Sequence, residues 1–209
     1  MNFDLITLDL DGTLLPDDTA FGAILREAGR GDDVAASDAR YFAGDLSLED
    51  CFDEQWAWVS DLSLADMHRG LRNAAWLSGI DEGVRMLKAT GARVSLLTDQ
   101  PSVACDFLGR WGLIDAVCSP VTVKEGRCVS IDRRFDKWAN LRARLDAWGI
   151  DPARVCHVGN GSNDVPVWQH VGGSVAVFAE PDVARHADVD LGRPTSLIEV
   201  AEAVQRLGK

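Results

Sequence analysis

The sequence predicts an α/β protein with a doubly wound, mostly parallel sheet and a small helical insertion after the first strand. Apolar runs of strand length, among them Phe3 to Leu10 and Arg93 to Thr98, alternate with stretches of helical spacing. More than eighty residues separate those two runs, far more than one crossover helix needs. A chain of 209 residues can bury one substantial core together with a modest inserted subdomain.

The first strand is predicted from Phe3 to Leu10, where a nearly continuous apolar run suits a strand that is covered on both faces. The following segment contains amphipathic stretches such as 19-TAFGAILREAG-29 and 48-LEDCFDEQWAWVSDL-62, and no strand alternation of useful length. We therefore interpret it as a small helical insertion.

We expect residues 1–15 and 78–209 to form the α/β core, and residues 16–77 to form a helical cap. Trp56 and Trp58 of this cap are two residues apart on a predicted helix, so they cannot share one helix face. Packing of the insertion is therefore favoured over a stacking role for an aromatic ligand.

The crossover helix into the second strand is indicated by Ile80, Val84 and Leu87 at helical spacing, and Gly91 supplies its end. The elements predicted after the second strand are a helix over 102–111, a short strand over 116–118, a hairpin over 121–131, a helix from Lys137 that ends at Gly149, a strand over 155–158, a loop over 159–164 with a short helix after it, a strand over 173–178, and a C-terminal helix over 196–207.

The composition excludes several classes of partner. A net charge of -12 and a pI near 4.7 leave no basic stripe to displace counterions from phosphates, so we expect no nucleic-acid and no membrane partner. No apolar run approaches the roughly 20 residues of a membrane span, and the N-terminus starts as a strand without a basic region, so we expect a cytoplasmic protein.

The five scattered cysteines contain no CxxC pair and indicate neither a disulfide framework nor a zinc site.

Polar residues follow three of the predicted strands. Asp9 and Asp11 end the first strand, Thr98 and Asp99 end the second, and the segment from Asn160 to Asp164 follows the strand over 155–158. Ligands of doubly wound sheets sit beyond the carboxyl ends of the strands. The three distant segments therefore predict one site.

Residues two apart on a regular strand share a face, and Gly12 permits a turn directly after the pair, so Asp9 and Asp11 can face a common opening. With one backbone carbonyl, the pair offers hard oxygen ligands suited to Mg²⁺. One carboxylate could act as a nucleophile while the other moves a proton. The spacing does not fit a calcium loop of the EF-hand type. A purely structural Asp-Gly turn stays open.

The chain resembles the haloacid dehalogenase superfamily of phosphohydrolases, in its phosphoserine phosphatase-like branch with a helical cap on a Rossmann-like core. The residues 9-DLDGTL-14 match the first motif of that superfamily, and Thr98 matches the Ser or Thr of the second. Lys137 fits the lysine of the third motif, and 159-GNGSND-164 resembles the fourth. Lys124 is the rival for the third motif, but it lies in a predicted hairpin turn, whereas Lys137 opens a helix.

The resemblance implies a Mg²⁺-dependent phosphatase that hydrolyses a small phosphomonoester through an aspartyl-phosphate. Asp9 would be the nucleophile, and Asp11 would protonate the leaving oxygen and later deprotonate water. Thr98 and Lys137 would bind the phosphoryl oxygens. Gly12 would let the phosphate approach the backbone.

The metal set implied by the resemblance consists of Asp9, the Asp11 backbone carbonyl, Asn160 and Asp164. Asn160 departs from the family, where an aspartate normally stands. An amide oxygen can still bind Mg²⁺, but one negative charge is lost, which is expected to weaken the binding.

The substrate residues depart further from the family. Its second motif usually reads SGG, whereas this chain has Thr98-Asp99-Gln100-Pro101, so larger groups replace the glycines that give a flat backbone approach. Asp99 is a candidate substrate contact. Asp18 matches the acidic residue that contacts the substrate amine in phosphoserine phosphatases. Gln55 falls near the place of the arginine that grips the substrate carboxylate, so a charge-assisted contact is missing. We therefore expect a small phosphorylated metabolite other than phosphoserine.

Two other functions stay open from the sequence. The same motifs are compatible with a phosphotransferase that passes the phosphoryl group to an acceptor alcohol. Because of Asn160, a catalytically weak binding or regulatory protein of the same family is the alternative from another class.

Overall fold

A computed structural model describes residues 2–113 and 115–209 of the protein. Its strands are β1 (Leu5–Leu8), β2 (Arg93–Pro101), β3 (Asp115–Ser119), β4 (Val121–Lys124), β5 (Arg127–Ile131), β6 (Val155–Gly159), β7 (Gly173–Ala176) and β8 (Val189–Asp190). Its α-helices are α1 (Ala20–Glu27), α2 (Gly31–Phe42), α3 (Leu48–Ser60), α4 (Leu64–Asn73), α5 (Ile80–Lys88), α6 (Ser102–Phe107), α7 (Lys137–Trp148), α8 (Val165–Trp168), α9 (Pro181–Ala184) and α10 (Leu197–Leu207). Short 3-10 helices cover 108–111 and 152–154.

In the described part of the chain, six strands form one parallel sheet in the order β3-β2-β1-β6-β7-β8. Strands β4 and β5 form a separate antiparallel hairpin whose turn residues Glu125 and Gly126 both have positive φ. The predicted doubly wound α/β class is confirmed. The strand order reverses at β1, and such a switch point opens a crevice beyond the carboxyl ends of the neighbouring strands.

The two faces of β1 pack against different helices. Leu5 lies in the core that contains Leu141 and Leu145 of α7, whereas Ile6 and Leu8 lie in the larger core that contains residues of α5 and α10. Side chains alternate along a strand, so Thr7 shares the α7 face with Leu5. This phase brings the end of β1 close to the start of α7.

The insertion between β1 and α5 consists of the helices α1 to α4. Thr19, Ser47 and Ser63 cap the first, third and fourth of them through their side-chain oxygens. Helices α1 and α4 pack closely because Gly70 has no side chain: a Cβ there would lie 2.6 Å from the Cα of Ile24.

The tryptophans of the insertion take part in its packing, as the sequence predicts. The Trp56 ring lies 6.3 Å from that of Phe21, and the Arg30 guanidinium lies 4.6 Å above the Trp58 ring. Neither indole lines the cavity described below.

Several predicted boundaries are wrong. Strand β2 continues to Pro101 instead of ending at Thr98, with a shift of register after Leu97. The predicted helix over 102–111 changes from α-helix to 3-10 helix at Leu108, and β7 ends at Ala176 instead of Phe178. The elements β8 and α9 are short and had no periodic signal in the sequence. No helix in the described ranges has both the length and the apolar character that a membrane crossing requires.

Candidate active site

A cavity of about 540 Å³ opens at the carboxyl ends of β1, β2 and β6. Most of the predicted site residues line it, so the structure brings the three strand ends together. We call one side the core wall, formed by Asp9, Asp11, Thr98, Asp99, Lys137 and Asn160. We call the other side the insertion wall, formed by Asp18, Arg26 and Asp38.

Lys137 is the central cation of the core wall. It is the first residue of α7, which Asp136 caps by accepting a hydrogen bond from the backbone N–H of Ala139. Its Nζ lies 2.9 Å from Oδ1 of Asp9 and 2.6 Å from Oδ1 of Asp164. The three side chains are 2%, 5% and 0% exposed, so these charges meet away from water.

Burial acts differently on the pKa values of the three groups. Burial alone would lower the pKa of Lys137, but the carboxylates of Asp164 and Asp9 raise it above its usual value. Burial would raise the pKa of Asp164, but Lys137 and His157 hold it well below its usual range. Burial raises the pKa of Asp9, against the attraction of Lys137. Of the two carboxyl groups around the ammonium, Asp9 is the one that lines the cavity, and its raised pKa means that it takes up a proton more readily than Asp164 does.

Asp164 lies behind the core wall and does not line the cavity. Its Oδ1 contacts Lys137 and lies 2.9 Å from Nε2 of His157, and its Oδ2 accepts hydrogen bonds of 2.9 Å from the backbone N–H groups of Asn160 and Gly161. With four partners, Asp164 holds the lysine and the loop after β6, and its predicted part in the metal site, directly or through water, stays a prediction.

His157 extends this network into the protein interior. It is fully buried on β6, and its Nδ1 lies 2.8 Å from Oγ1 of Thr7. Nε2 forms the hydrogen bond of the ring with Asp164, and Nδ1 forms the other one with the Thr7 hydroxyl. Thr7, His157 and Asp164 therefore form a continuous buried chain of hydrogen bonds that ends at Lys137.

Asp11 is held at both carboxylate oxygens. Oδ1 accepts a hydrogen bond of 2.8 Å from the backbone N–H of Ala20, and Oδ2 accepts one of 2.5 Å from Nε2 of Gln100. Burial raises the pKa of Asp11 to about 7, although both hydrogen bonds favour the ionised form. A carboxyl with such a pKa can give up and take back a proton near neutral pH.

Gly12 and Asn160 lie against each other at the cavity. Gly12 has a φ of +68°, and a Cβ at this position would lie 2.0 Å from Nδ2 of Asn160. The hydroxyl of Thr13 donates to Oδ1 of Asn160 at 3.4 Å. Glycine is therefore required here both by the left-handed backbone and by the neighbouring amide.

Thr98 and Asp99 line the cavity next to Asn163. The Thr98 hydroxyl oxygen accepts a hydrogen bond from the backbone N–H of Gln100 at 3.3 Å. Asn163 Nδ2 donates to Oδ2 of Asp99 at 2.8 Å, whereas Oδ1 of Asp99 is buried and has no hydrogen-bond partner in residues 2–113 and 115–209. Burial raises the pKa of Asp99.

The insertion wall differs from the sequence prediction at Gln55. Asp18 lines the cavity as predicted and pairs with Arg26, which also lines it. Gln55 does not line the cavity: its Nε2 donates to Oδ1 of Asp38 at 2.8 Å, and Asp38 is the residue that faces the opening. The prediction of Gln55 as a direct contact has no support, because its side chain lies behind Asp38.

The donor set at the core wall fits a small hard cation. The Asp9 carboxyl, the Asp11 backbone carbonyl and the Asn160 amide belong to residues that line the cavity, and they offer oxygen atoms as ligands. In the described residues no group of three His, Cys, Asp or Glu side chains is arranged to hold a metal ion. The candidate set is compatible with that finding, since it contains one carboxylate side chain, one backbone carbonyl and one amide.

Sequence reasoning missed four residues that contribute to the site: Arg26, Gln100, Asn163 and His157. Asn163 belongs to the fourth motif, so its position was a usable signal. His157 is in phase with Val155 on β6 and could have been placed on the α7 face. Arg26 and Gln100 depend on how the insertion and the irregular end of β2 fold, and the sequence pattern carried no signal for them.

Known proteins similar to this chain share its fold over nearly its whole length. A family model described as haloacid dehalogenase-like hydrolase matches residues 6–169. Phosphoserine phosphatase of Halobacterium salinarum is 31% identical over 200 residues, which cover 88% of this chain and 90% of the relative. Phosphoserine phosphatase of Methanocaldococcus jannaschii is 24% identical over 191 residues, with the same coverage of 88% and 90%.

Solved structures give the same result for the fold. A substrate-bound phosphoserine phosphatase complex superimposes with a TM-score of 0.80 at 22% identity, covering 97% of this chain and 99% of the other. A phospho-aspartyl intermediate analogue of phosphoserine phosphatase gives a TM-score of 0.79, also at 22% identity and the same coverage. At this identity the likeness shows a shared fold.

Proposed function

The chain belongs to the haloacid dehalogenase-like hydrolase family, and we propose that it is a Mg²⁺-dependent phosphatase that hydrolyses a small phosphomonoester through an aspartyl-phosphate on Asp9. The observation that carries the proposal is the buried contact of Lys137 with Asp9 at the floor of the cavity. A buried ammonium beside a cavity-facing carboxylate is suited to hold a phosphoryl group against that carboxylate.

In the proposed reaction, an oxygen of Asp9 attacks the phosphorus atom while the bond to the leaving oxygen breaks. Lys137 contacts Oδ1 of Asp9, which fixes the carboxylate and balances part of the phosphoryl charge. Thr98, in the last part of β2, donates a hydrogen bond from its hydroxyl to a phosphoryl oxygen. Its hydroxyl oxygen already accepts from the backbone of Gln100, so the proton is available for the substrate.

Asp11 is the proposed acid and base. In its protonated form it gives a proton to the leaving oxygen, and afterwards it takes a proton from the water that attacks the aspartyl-phosphate. A pKa raised to about 7 by burial suits both steps. The Ala20 N–H and the Gln100 amide hold its two oxygens in place between the steps.

Asp9, the Asp11 backbone carbonyl and the Asn160 amide oxygen would hold the Mg²⁺ ion. When bound, the ion would supply positive charge to the phosphoryl oxygens and balance the charge of Asp9. Asp164 would support this site indirectly, because it fixes the backbone of Asn160 and the ammonium of Lys137.

Residues 16–77 are proposed to act as a cap that covers the cavity during phosphoryl transfer. The contribution of Asp18, Arg26 and Asp38 to the cavity supports this role, since the leaving group would lie between them and the core wall. A covered site excludes water while the phosphorus is attacked, and an open one releases the product.

The insertion wall bears on the choice of substrate. The expectation against phosphoserine rested on the altered second motif and on a missing arginine. Arg26 provides a guanidinium in the cavity. Together with Asp18 it offers one cation and one anion, which are the charges that a leaving group with both a carboxylate and an ammonium requires. The named relatives make phosphoserine the first substrate to test, within a panel of small phosphomonoesters.

The deciding experiment measures hydrolysis of p-nitrophenyl phosphate and phosphoserine by the wild type and by Asp9→Asn, each with and without added Mg²⁺. We expect Mg²⁺-dependent turnover by the wild type and its loss in Asp9→Asn, because an amide is a poor nucleophile. Asp4→Asn is the matched control: Asp4 precedes the same strand but pairs with Arg154 at the surface, and its exchange is expected to preserve activity.

Absence of turnover by the wild type at high Mg²⁺ with the whole substrate panel would contradict the proposal and favour the binding or regulatory alternative. Transfer of phosphate to an added alcohol faster than to water would instead favour the phosphotransferase.

A further inference from the structure

Strand β2 has an irregularity directly after Leu97. Leu97 pairs with Val117 of β3 and Pro101 pairs with Ser119, so three residues of β2 stand opposite the single residue Cys118. Extra residues on one strand interrupt the alternation of side chains between the two faces and change the direction in which the side chains point. Here the irregularity brings the third of these residues, Gln100, against the Asp11 carboxylate.

Gln100 connects two residues of the proposed reaction. Its side chain is buried, with 6% exposure, and its Nε2 donates to Oδ2 of Asp11 at 2.5 Å. Its backbone N–H donates to Oγ1 of Thr98 at 3.3 Å. An ionised carboxylate only accepts hydrogen bonds, so the amide nitrogen is the atom that faces Asp11.

The other end of the amide is unsatisfied. Oε1 of Gln100 is buried and has no hydrogen-bond partner among the described residues. A buried acceptor without a partner lowers the stability of a fold, and an apolar side chain of similar length would avoid that cost. Packing alone therefore does not explain a glutamine at this position. The Gln100 side chain donates one hydrogen bond, to Asp11, and this contact accounts for an amide at this position.

We propose that Gln100 is a positioning residue for the proton transfer by Asp11, an inference that rests on the proposed phosphatase function. In the first step, a bond forms between an Asp9 oxygen and phosphorus, the bond from phosphorus to the leaving oxygen breaks, and the proton of Asp11 moves to that oxygen. Gln100 and the Ala20 N–H fix the rotation of the Asp11 carboxyl, so that the proton is directed at the leaving oxygen.

The test uses aryl phosphates of one shape whose leaving groups differ in basicity. Phenyl phosphate releases a phenol with a pKa of about 10, like tyrosine, and needs the proton, whereas p-nitrophenyl phosphate releases a much weaker base and needs it little. The measured quantity is kcat/KM, because it covers only the steps up to the transfer to Asp9. The later hydrolysis of the aspartyl-phosphate is common to both substrates and does not enter.

The variant is Gln100→Met, which keeps the length of the side chain and removes the amide. We expect kcat/KM for phenyl phosphate to fall by about 100-fold and that for p-nitrophenyl phosphate by about threefold or less. The matched control is Gln205→Met, since the half-buried Gln205 amide donates to the backbone oxygen of Met86 far from the cavity. This control is expected to leave the ratio of the two values unchanged.

Stability gives a second readout, since loss of a merely structural residue would lower the Tm. Gln100→Met removes a buried acceptor without a partner but also the donor to Oδ2 of Asp11, so the two effects oppose each other and we expect a Tm close to that of the wild type. Gln100→Asn, whose amide is one methylene too short to keep the contact with Asp11, is a second variant. It is expected to show the same selective loss on phenyl phosphate.

An equal fall of kcat/KM for both aryl phosphates, or no fall for either, would overturn the proposal for Gln100. A lowered Tm of Gln100→Met together with such an equal fall would assign Gln100 a structural role instead. Failure of the wild type to hydrolyse the aryl phosphates and every other phosphomonoester of the panel, phosphoserine included, would contradict the proposed function itself, so the two failures are distinguishable.

Discussion

On the core wall, the Lys137 ammonium is buried between Asp9 and Asp164, whereas on the insertion wall the Arg26 guanidinium pairs with Asp18 at the surface. The side chain of Arg26 is 51% exposed and that of Lys137 only 2%. Both walls therefore contain a cation that contacts a carboxylate, but the two pairs lie in different surroundings.

This difference decides what each wall can do. Loss of one partner from a buried pair leaves an uncompensated charge away from water, which strongly destabilises a fold. An exposed pair is screened by solvent and contributes little, so its partners can exchange for the charges of a ligand. The core wall is thus suited to fixed chemistry, and the insertion wall to selection of the leaving group.

The largest effect is expected for Lys137→Met, which removes the buried cation. Asp9 and Asp164 would be left without their ammonium, so we expect the free energy of unfolding to fall by about 3–5 kcal/mol. Turnover of p-nitrophenyl phosphate should be lost at the same time, because Asp9 and the phosphoryl group would lose their cation. Urea unfolding and steady-state kinetics measure the two effects.

Lys124→Met is the matched control for this prediction, since Lys124 lies exposed at the end of β4. It was also the rival for the lysine motif in the sequence. The control is expected to keep both stability and turnover. A Lys137 variant as stable and as active as the Lys124 variant would break the distinction between the two walls.

The sequence predicted the core wall better than the insertion wall, for a physical reason. Asp9 and Asp11 directly follow β1, Thr98 lies in β2 and Lys137 opens α7, so apolar runs and a helix start marked their positions in the sequence. The family and the expectation of a phosphoric monoester hydrolase are confirmed by the comparisons, as is the fold class. The individual roles of the site residues stay predictions.

The insertion wall depends on how the helices pack, and this was not readable from spacing. Gln55 was expected in the cavity, but helix α3 turns it toward Asp38. Arg26 was overlooked because the last turn of α1 has no motif that marks it as a cavity residue. Gln100 was seen only as a bulky replacement, since its contact with Asp11 depends on the irregular register of β2.

An intermediate effect is expected for Asn160→Asp, which adds a carboxylate to the core wall. Asn160 offers an amide oxygen where the family normally has an acid, so the exchange should strengthen Mg²⁺ binding by about tenfold, or 1.4 kcal/mol. Calorimetric titration with Mg²⁺ measures the affinity directly, and the Mg²⁺ concentration for half-maximal turnover measures it independently.

Asn163→Asp separates ligation from general electrostatics, because it adds the same charge to the same loop. Asn163 also lines the cavity, but its amide is bound to Asp99. Affinities that rise equally in both variants would contradict a ligand role for Asn160 and show that only the summed charge of the loop matters.

The smallest effect on stability is expected at the insertion wall. Arg26→Gln removes a pair in which the guanidinium is half exposed and the Asp18 carboxylate is 12% exposed, so the free energy of unfolding should change by about 1 kcal/mol or less. Arg85→Gln removes more exposed pairs with Glu82 and Asp81 on α5, away from the cavity, and is the control. Both variants should therefore unfold at similar urea concentrations.

The two arginine variants should differ in selectivity, which connects the insertion wall to the leaving group. If Arg26 exchanges Asp18 for the carboxylate of a substrate, Arg26→Gln should raise KM for phosphoserine by about tenfold, the loss of one charge-assisted contact. p-Nitrophenyl phosphate has no carboxylate, so its KM should change much less, and the KM ratio of the two substrates isolates the contact. An unchanged ratio would mean that Arg26 stays with Asp18 while substrate is bound. The insertion wall would then act, like the core wall, as a fixed pair of charges.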